Sequence, residues 1–319
     1  MKSKDGESSL FQWLFRREDS GRADAARRFG GDNGEPAQAL DVFFLVDPST
    51  FVDRQILLLA IDALGHFAGG GERPLRVKVV HRAAVDEGLR ACFDQVPGLD
   101  CVHATLSAES APELELAMGH RWREYAALAV ARSARAPFYL VLDESCICVR
   151  PWVPAALVAG ERALSQWEAI DRHPENLAAS LTLLHMGPRP GLGLSTLPAI
   201  FSTALALRTL QRVADTSPSG SADSKLAAAS AAHEIWSANS LYSMACLDEL
   251  PDQHRAAHED GAFAALHGDA NIWDDDTPLE GWDPVDWVRK ATHGQFIVVK
   301  TGDPDRARTA ASLCYGLLR

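Results

Sequence analysis

The chain contains no uninterrupted apolar run near the roughly 18 residues that a membrane-crossing helix needs, because charges, glycines or prolines break every candidate. No secretory leader is legible at the N-terminus: Met1 to Ser9 mixes charges of both signs, and the short apolar patch behind it lacks a small-residue cleavage site. Basic residues are in deficit, with 31 Lys and Arg against 43 Asp and Glu and a formal net charge of -12. That balance excludes a general nucleic-acid binder, which needs a basic face to displace counterions from phosphates. Six scattered cysteines, of which only Cys146 and Cys148 stand close together, supply neither a disulfide framework nor the paired spacing of a zinc site. They read as free thiols of a reducing compartment, so the expectation is a soluble cytoplasmic protein. Gly-x-Ser-x-Gly elbows, Walker loops, His-Glu-x-x-His helices and internal repeats are absent too, which leaves serine hydrolase, P-loop and zincin chemistry without an anchor.

What is present is ample material for a core: 319 residues, 47% of them hydrophobic. The polar, turn-forming stretch Gly30 to Pro36 reads as a linker, which divides the chain into a flexible segment 1–39 and one large domain 40–319. Within the segment, Leu10, Phe11, Trp13, Leu14 and Phe15 precede Arg16 and Arg17. The patch can pack on its own domain, or serve as a short amphipathic helix for a protein partner or peripheral membrane contact.

Asp41 to Val46 is a continuous apolar run that ends in Asp47-Pro48, as a buried parallel strand ends in a loop. Phe51 to Phe67 has helical spacing and stops at three glycines. Leu75 to Val80 reads as a second strand with a helix over Ala83 to Phe93 behind it. Alternation of this kind predicts an α/β protein with a mostly parallel sheet flanked by helices. A helix over Leu114 to Ser133 leads into the most strand-like run, Phe138 to Leu142, which breaks off at Asp143-Glu144-Ser145 before Cys146 to Val149 resumes. The polar tripeptide is thus expected in a bend at the carboxyl edge of the sheet, where open α/β sheets bind ligands. Further on, helices are expected over Pro154 to Gln166, Pro198 to Ala214 and Ala228 to Leu250, a loop over Thr216 to Asp223, a strand over Phe296 to Val299, and a closing helix over Asp303 to Leu318.

The run Tyr139-Leu-Val-Leu-Asp143-Glu-Ser-Cys-Ile-Cys-Val-Arg150-Pro151 resembles the Asp-x-Asp strand of GT-A-fold glycosyltransferases, specifically of a bacterial branch. Trp122, His173-Pro174, Pro198 to Thr203, Trp236-Ser237 and Leu241-Tyr242 follow that branch's order, so the resemblance spans about Asp41 to Tyr242. It implies a GT-A-like fold and transfer of a sugar from a nucleotide-diphosphate sugar to a hydroxyl acceptor. It also implies a divalent cation, manganese or magnesium, which stabilises the leaving diphosphate.

On this resemblance Asp143 and Glu144 are the catalytic candidates and Asp143 with His267 the metal candidates. Val46, Asp47, Ser49, Arg123, Arg150 and Trp236 are the donor-binding candidates, with Val46 to Ser49 lining the base. The departures fall on polar positions. Ser145 stands where the second acid belongs. Arg123-Glu124 and Ala127 replace Gln-Gln and Lys, and Ala238 replaces an acid that could act as acceptor base. Two readings stay open. One is an active transferase, with metal or with Arg123, Arg150, His185 and Arg189 as candidates to carry the charge instead. The other is a catalytically degenerate protein that serves as a binding or scaffold subunit. Asp274-Asp275-Asp276 reads as a solvated acidic loop or a cation site, the Gly187 to Gly193 loop as a connector or an acceptor-site loop, and His233 as a helix residue or a base.

Overall fold

The computed structural model describes residues 40–47, 51–67, 74–82, 87–106, 117–148, 154–165, 167–194, 199–256 and 296–298. Every one lies in a single compact unit, Gln38–Arg319. The Leu10 to Phe15 patch, Ser49, Arg150, His267, the Asp274 to Asp276 run and the closing helix lie outside the described residues.

Four parallel strands form the body of the central sheet: β1 (Leu40–Val46), β2 (Leu75–His81), β3 (Leu99–Thr105) and β4 (Phe138–Leu142). A fifth, β10 (Ala199–Ser202), pairs antiparallel with β4, giving the order β10-β4-β1-β2-β3. The protein is thus α/β with a mostly parallel sheet flanked by helices. Between β4 and β10 lie the short strands β5 (Cys146–Cys148), β6 (Val158–Ala159), β7 (Arg162–Ser165), β8 (Trp167–Ala169) and β9 (Leu192–Leu194). β11 (His254–Ala256) joins β7, and β12 (Phe296–Val298) pairs antiparallel with β5.

Burial follows position in the sheet. β1 and β4, the neighbours at its centre, are buried at every residue, whereas outer β3 is half exposed. Continuous apolar sequence is what strands covered on both faces require. On one face, Phe43, Leu45, Val80, Tyr139, Val141, Ala199 and Phe201 share a core with α3 (Trp122–Ala129), α5 (Thr203–Asp215) and α7 (Ala238–Ala245). Aromatic contacts run across it: Phe43 meets Tyr139 edge-on at 5.6 Å, Tyr139 stacks on Phe201 at 5.5 Å, and Phe201 meets Tyr242 at 5.1 Å. The remaining helices are α1 (Phe51–Phe67), α2 (Glu87–Asp94), α4 (Pro174–Leu184), α6 (Ala222–Ala231) and the single turn α8 (Leu250–Gln253). On the other face Phe44 meets Phe93 of α2 at 5.7 Å.

Three helical expectations give way to strands or breaks. Of the helix expected over Pro154 to Gln166, the described residues Pro154 to Ser165 form a single 3-10 turn and then the β6–β7 hairpin, which turns at Gly160 with φ of +64°. Pro198 to Ala214 splits: Ala199–Ser202 pairs with the edge of β4, and the helix starts only at Thr203, whose N–H and hydroxyl donate to Pro137 O and Ala136 O at 2.8 and 2.7 Å. A short apolar run fits strand or helix alike, and the free edge of β4 decides it. Ala228 to Leu250 is interrupted at His233, exposed with φ of +59°, before Ser237 caps α7 by accepting from Ser240 N–H at 3.2 Å. Of the helix expected over Leu114 to Ser133, the described part is α-helical over Trp122–Ala129, with 3-10 turns on either side.

His254 is enclosed between α7 and the outer strands, its ring nitrogens 2.7 Å from Tyr242 Oη and 2.9 Å from Ser165 Oγ. Burial pushes its pKa down from 6.5 to about 3, so the folded protein holds it neutral. Above pH 6.5 both states are neutral and the residue adds no pH dependence. As pH falls from about 6.5 towards 3 the unfolded chain binds one more proton, and stability drops by about 1.4 kcal/mol per pH unit. Urea unfolding at pH 6, 5 and 4 is expected to show that slope, and His254→Gln to flatten it.

Candidate functional site

Because β1 and β4 are parallel neighbours, both end at the same edge of the sheet, at Asp47 and Asp143. Helix α3 precedes β4 and brings its first turn back to that edge. Arg123, in this turn, donates through Nη2 to Glu144 Oε1 and, at 3.4 Å, to the Asp47 carbonyl. One guanidinium therefore joins the ends of the two central strands. Beside it, Arg82 donates to Asp47 Oδ2 at 2.8 Å, and its N–H donates to Val46 O at 3.1 Å.

The tripeptide after β4 forms a tight turn closed by Cys146 N–H donating to Asp143 O at 3.0 Å. Asp143 is 3% exposed, and its Oδ1 accepts from Ser145 N–H at 2.9 Å, from the Ser145 hydroxyl, and from the Cys146 thiol at 3.4 Å. Such an Asx arrangement satisfies the carboxylate from its own turn. Glu144, 8% exposed, is held by Arg123. The bend lets neighbouring side chains diverge: Asp143 serves the turn, and Glu144 reaches across to α3.

Among the described residues the donor set does not fit the cation that the resemblance implies. A hard divalent ion takes several oxygen ligands at 2.0–2.6 Å. Here one Asp143 oxygen is spent on three donors, Glu144 faces a guanidinium, and Ser145 contributes a hydroxyl turned back on Asp143. Among the described residues no group of three or more His, Cys, Asp or Glu side chains could hold a metal ion.

Other candidates from the sequence separate in space. Val46 is the buried last residue of β1. Trp236 is fully enclosed and donates through Nε1 to Ser230 Oγ at 3.2 Å, which makes it a packing residue behind the site and not a face open to a donor. Ala238, on the position of the missing acid, donates its N–H to Glu124 Oε2 at 2.8 Å, so α3 helps to cap α7. His185 sits in a left-handed turn ending α4, within 3.5 Å of Lys225 Nζ, and Arg189 pairs with Asp248 on the surface at 2.6 Å.

Two features at this edge had no reading in the sequence. Arg82 follows directly on β2, and only the fold makes it a neighbour of Asp47. On the opposite face, His81 Nε2 lies 2.8 Å from His103 Nδ1, and His103 Nε2 lies 3.3 Å from Asp94 Oδ1. With Asp94 accepting, His103 carries its proton on Nε2 and accepts from His81. Burial lowers the His103 pKa, and the Asp94 carboxylate opposes the shift. His103 lies on β3, whose mixed sequence carries no clear strand pattern.

In open α/β sheets ligands bind beyond the carboxyl ends of the strands, and in this chain Arg82, Arg123, Asp47, Asp143 and Glu144 gather at those ends. Residues 117–304 match the family described as "Family of unknown function (DUF6492)", and the chain belongs to that family. No curated protein matches the sequence. Among solved structures, the chain is similar to galactosyltransferase LgtC in complex with donor and acceptor sugar analogs (13% identity, TM-score 0.45, covering 87% of this chain and 96% of that one). It is similar to mouse xyloside xylosyltransferase 1 (11% identity, TM-score 0.40, covering 68% and 84%). A third is core-mannan synthase A from Aspergillus fumigatus in a Mn/GDP form (10% identity, TM-score 0.37, covering 70% and 78%).

The turn geometry makes a direct prediction. Ser145→Ala keeps the backbone N–H bond to Asp143 but deletes the hydroxyl bond, and is expected to cost about 1 kcal/mol in urea unfolding. Asp143→Ala strands three donors and is expected to cost about 2 kcal/mol or more.

Proposed function

We propose that the chain is a glycosyltransferase-type protein that binds a nucleotide-diphosphate sugar along the carboxyl edge of its sheet. The observation that carries the reading is Arg123, fixed between the Asp47 carbonyl and Glu144 where β1 and β4 end together. Breaking a glycosidic bond gathers negative charge on the leaving diphosphate, and a cation held in advance at that point stabilises it. In this reading Val46 to Ser49 line the base, Asp143 meets the ribose, and Arg123 with Arg150 face the phosphates. Glu144 orients Arg123, while enclosed Trp236 supports α7 from behind.

A second reading, a binding or scaffold subunit that performs no transfer, is favoured by one specific observation. Each polar side chain of the Asp143-Glu144-Ser145 turn is engaged by another residue of the chain, and Ala238 offers no base to activate an acceptor hydroxyl. No helix among the described residues is long and apolar enough to cross a membrane.

Thermal shift and donor hydrolysis with a panel of nucleotide sugars separate the two. Stabilisation by one donor class together with slow release of its sugar is expected, both lost in Asp143→Ala. Stabilisation without release favours the binding subunit. A flat response throughout would sink the transferase reading, and an Asp143→Ala protein that behaves like the parent would remove Asp143 from the site.

A further inference from the structure

The misfit between the turn and a divalent cation raises the question of what else would meet a diphosphate there. From the geometry we infer that Arg123 takes the place of the metal ion, and that Glu144 is the counter-ion that stores this arginine until a diphosphate arrives. The inference rests on the donor-site reading above.

Arg123 has capacity beyond its present partners. Both of its contacts, to Glu144 and to the Asp47 carbonyl, are made through Nη2, whereas its buried Nε–H has no hydrogen-bond partner among the described residues. An unsatisfied buried donor of this kind is costly and is usually met by a ligand or water. The side chain is 32% exposed, so an incoming anion can reach the guanidinium. A guanidinium has five donors in a planar fork, so it can engage phosphate oxygens in a bidentate manner once Glu144 releases it.

The local charges say why Glu144 limits binding. Asp47, Asp143 and Glu144 set three carboxylates against Arg82 and Arg123. Arg82 is occupied by Asp47, and Asp143 by its own turn. Glu144 and the diphosphate therefore compete for the same guanidinium. Neutralising Glu144 removes both the competition and the repulsion, and tightens binding. A metal-ligand role predicts the opposite sign, because loss of a carboxylate ligand weakens metal-dependent binding.

Calorimetric titration of UDP, GDP and ADP into the full-length protein, in EDTA and again with manganese, tests the inference. One nucleoside diphosphate is expected to bind in EDTA, with an affinity that manganese changes by less than about threefold. Arg123→Met is expected to weaken it about tenfold or more, and Glu144→Gln to tighten it a few-fold. A strict requirement for manganese, or weaker binding in Glu144→Gln, overturns the assignment of Arg123 and leaves the donor site standing. Absence of binding by all three in both buffers overturns the donor-site reading and this inference with it. Should Arg123→Met fail to fold, Glu144→Gln, which keeps the side chain's size, decides by the sign of its effect.

Discussion

The pairing of β1 with β4 is the constraint on which the rest of the molecule depends. Two adjacent strands with every residue buried must be covered on both faces, so helices are needed above and below, and the strands can place polar groups only at their ends. Because the strands are parallel, those ends meet at one edge. The charged groups of the candidate site are gathered there by the same rule that makes the centre of the sheet apolar.

At that edge the order of the chain matters as much as its composition. The turn after β4 satisfies itself through Asp143, Ser145 and Cys146, and needs no outside group to hold its shape. α3 arrives from the other direction, caps α7 through Glu124 and crosses to Glu144 through Arg123. Neighbouring residues on one helix turn thus perform different tasks: Trp122 fills the core, Arg123 bridges two strand ends, and Glu124 closes a helix N-terminus.

The centre of the fold was legible in the sequence, and its periphery was not. Asp41 to Val46 and Phe138 to Leu142 announce buried parallel strands because nothing polar interrupts them. β3 was missed because burial alternates along Leu99-Asp-Cys-Val-His-Ala-Thr105 but polarity does not follow it: Val102 is exposed and the His103 side chain is enclosed. β10 was read as helix because four apolar or small residues carry no period, and the vacant edge of β4 settles their state. The bend at Asp143 to Ser145 was foreseen. Its bonding was not: Ser145 was read for the acid it lacks, but its hydroxyl is a donor that occupies Asp143. The Arg123–Glu144 ion pair, 21 positions apart, depends on how α3 packs, and no local pattern encodes that.

One pairing bears on how the molecule is made. β5, which carries the chain away from the Asp143 turn, has β12 as its strand partner, so Cys146–Cys148 pairs with Phe296–Val298 across about half of the sequence. Contacts that close so long a loop form late, because the chain must lose that freedom before the pairing rewards it. During synthesis the central sheet has all five of its strands by Ser202, well before residue 298 leaves the ribosome. The core of the fold can therefore assemble early, whereas the strand behind the candidate site waits for β12, some way further along the chain.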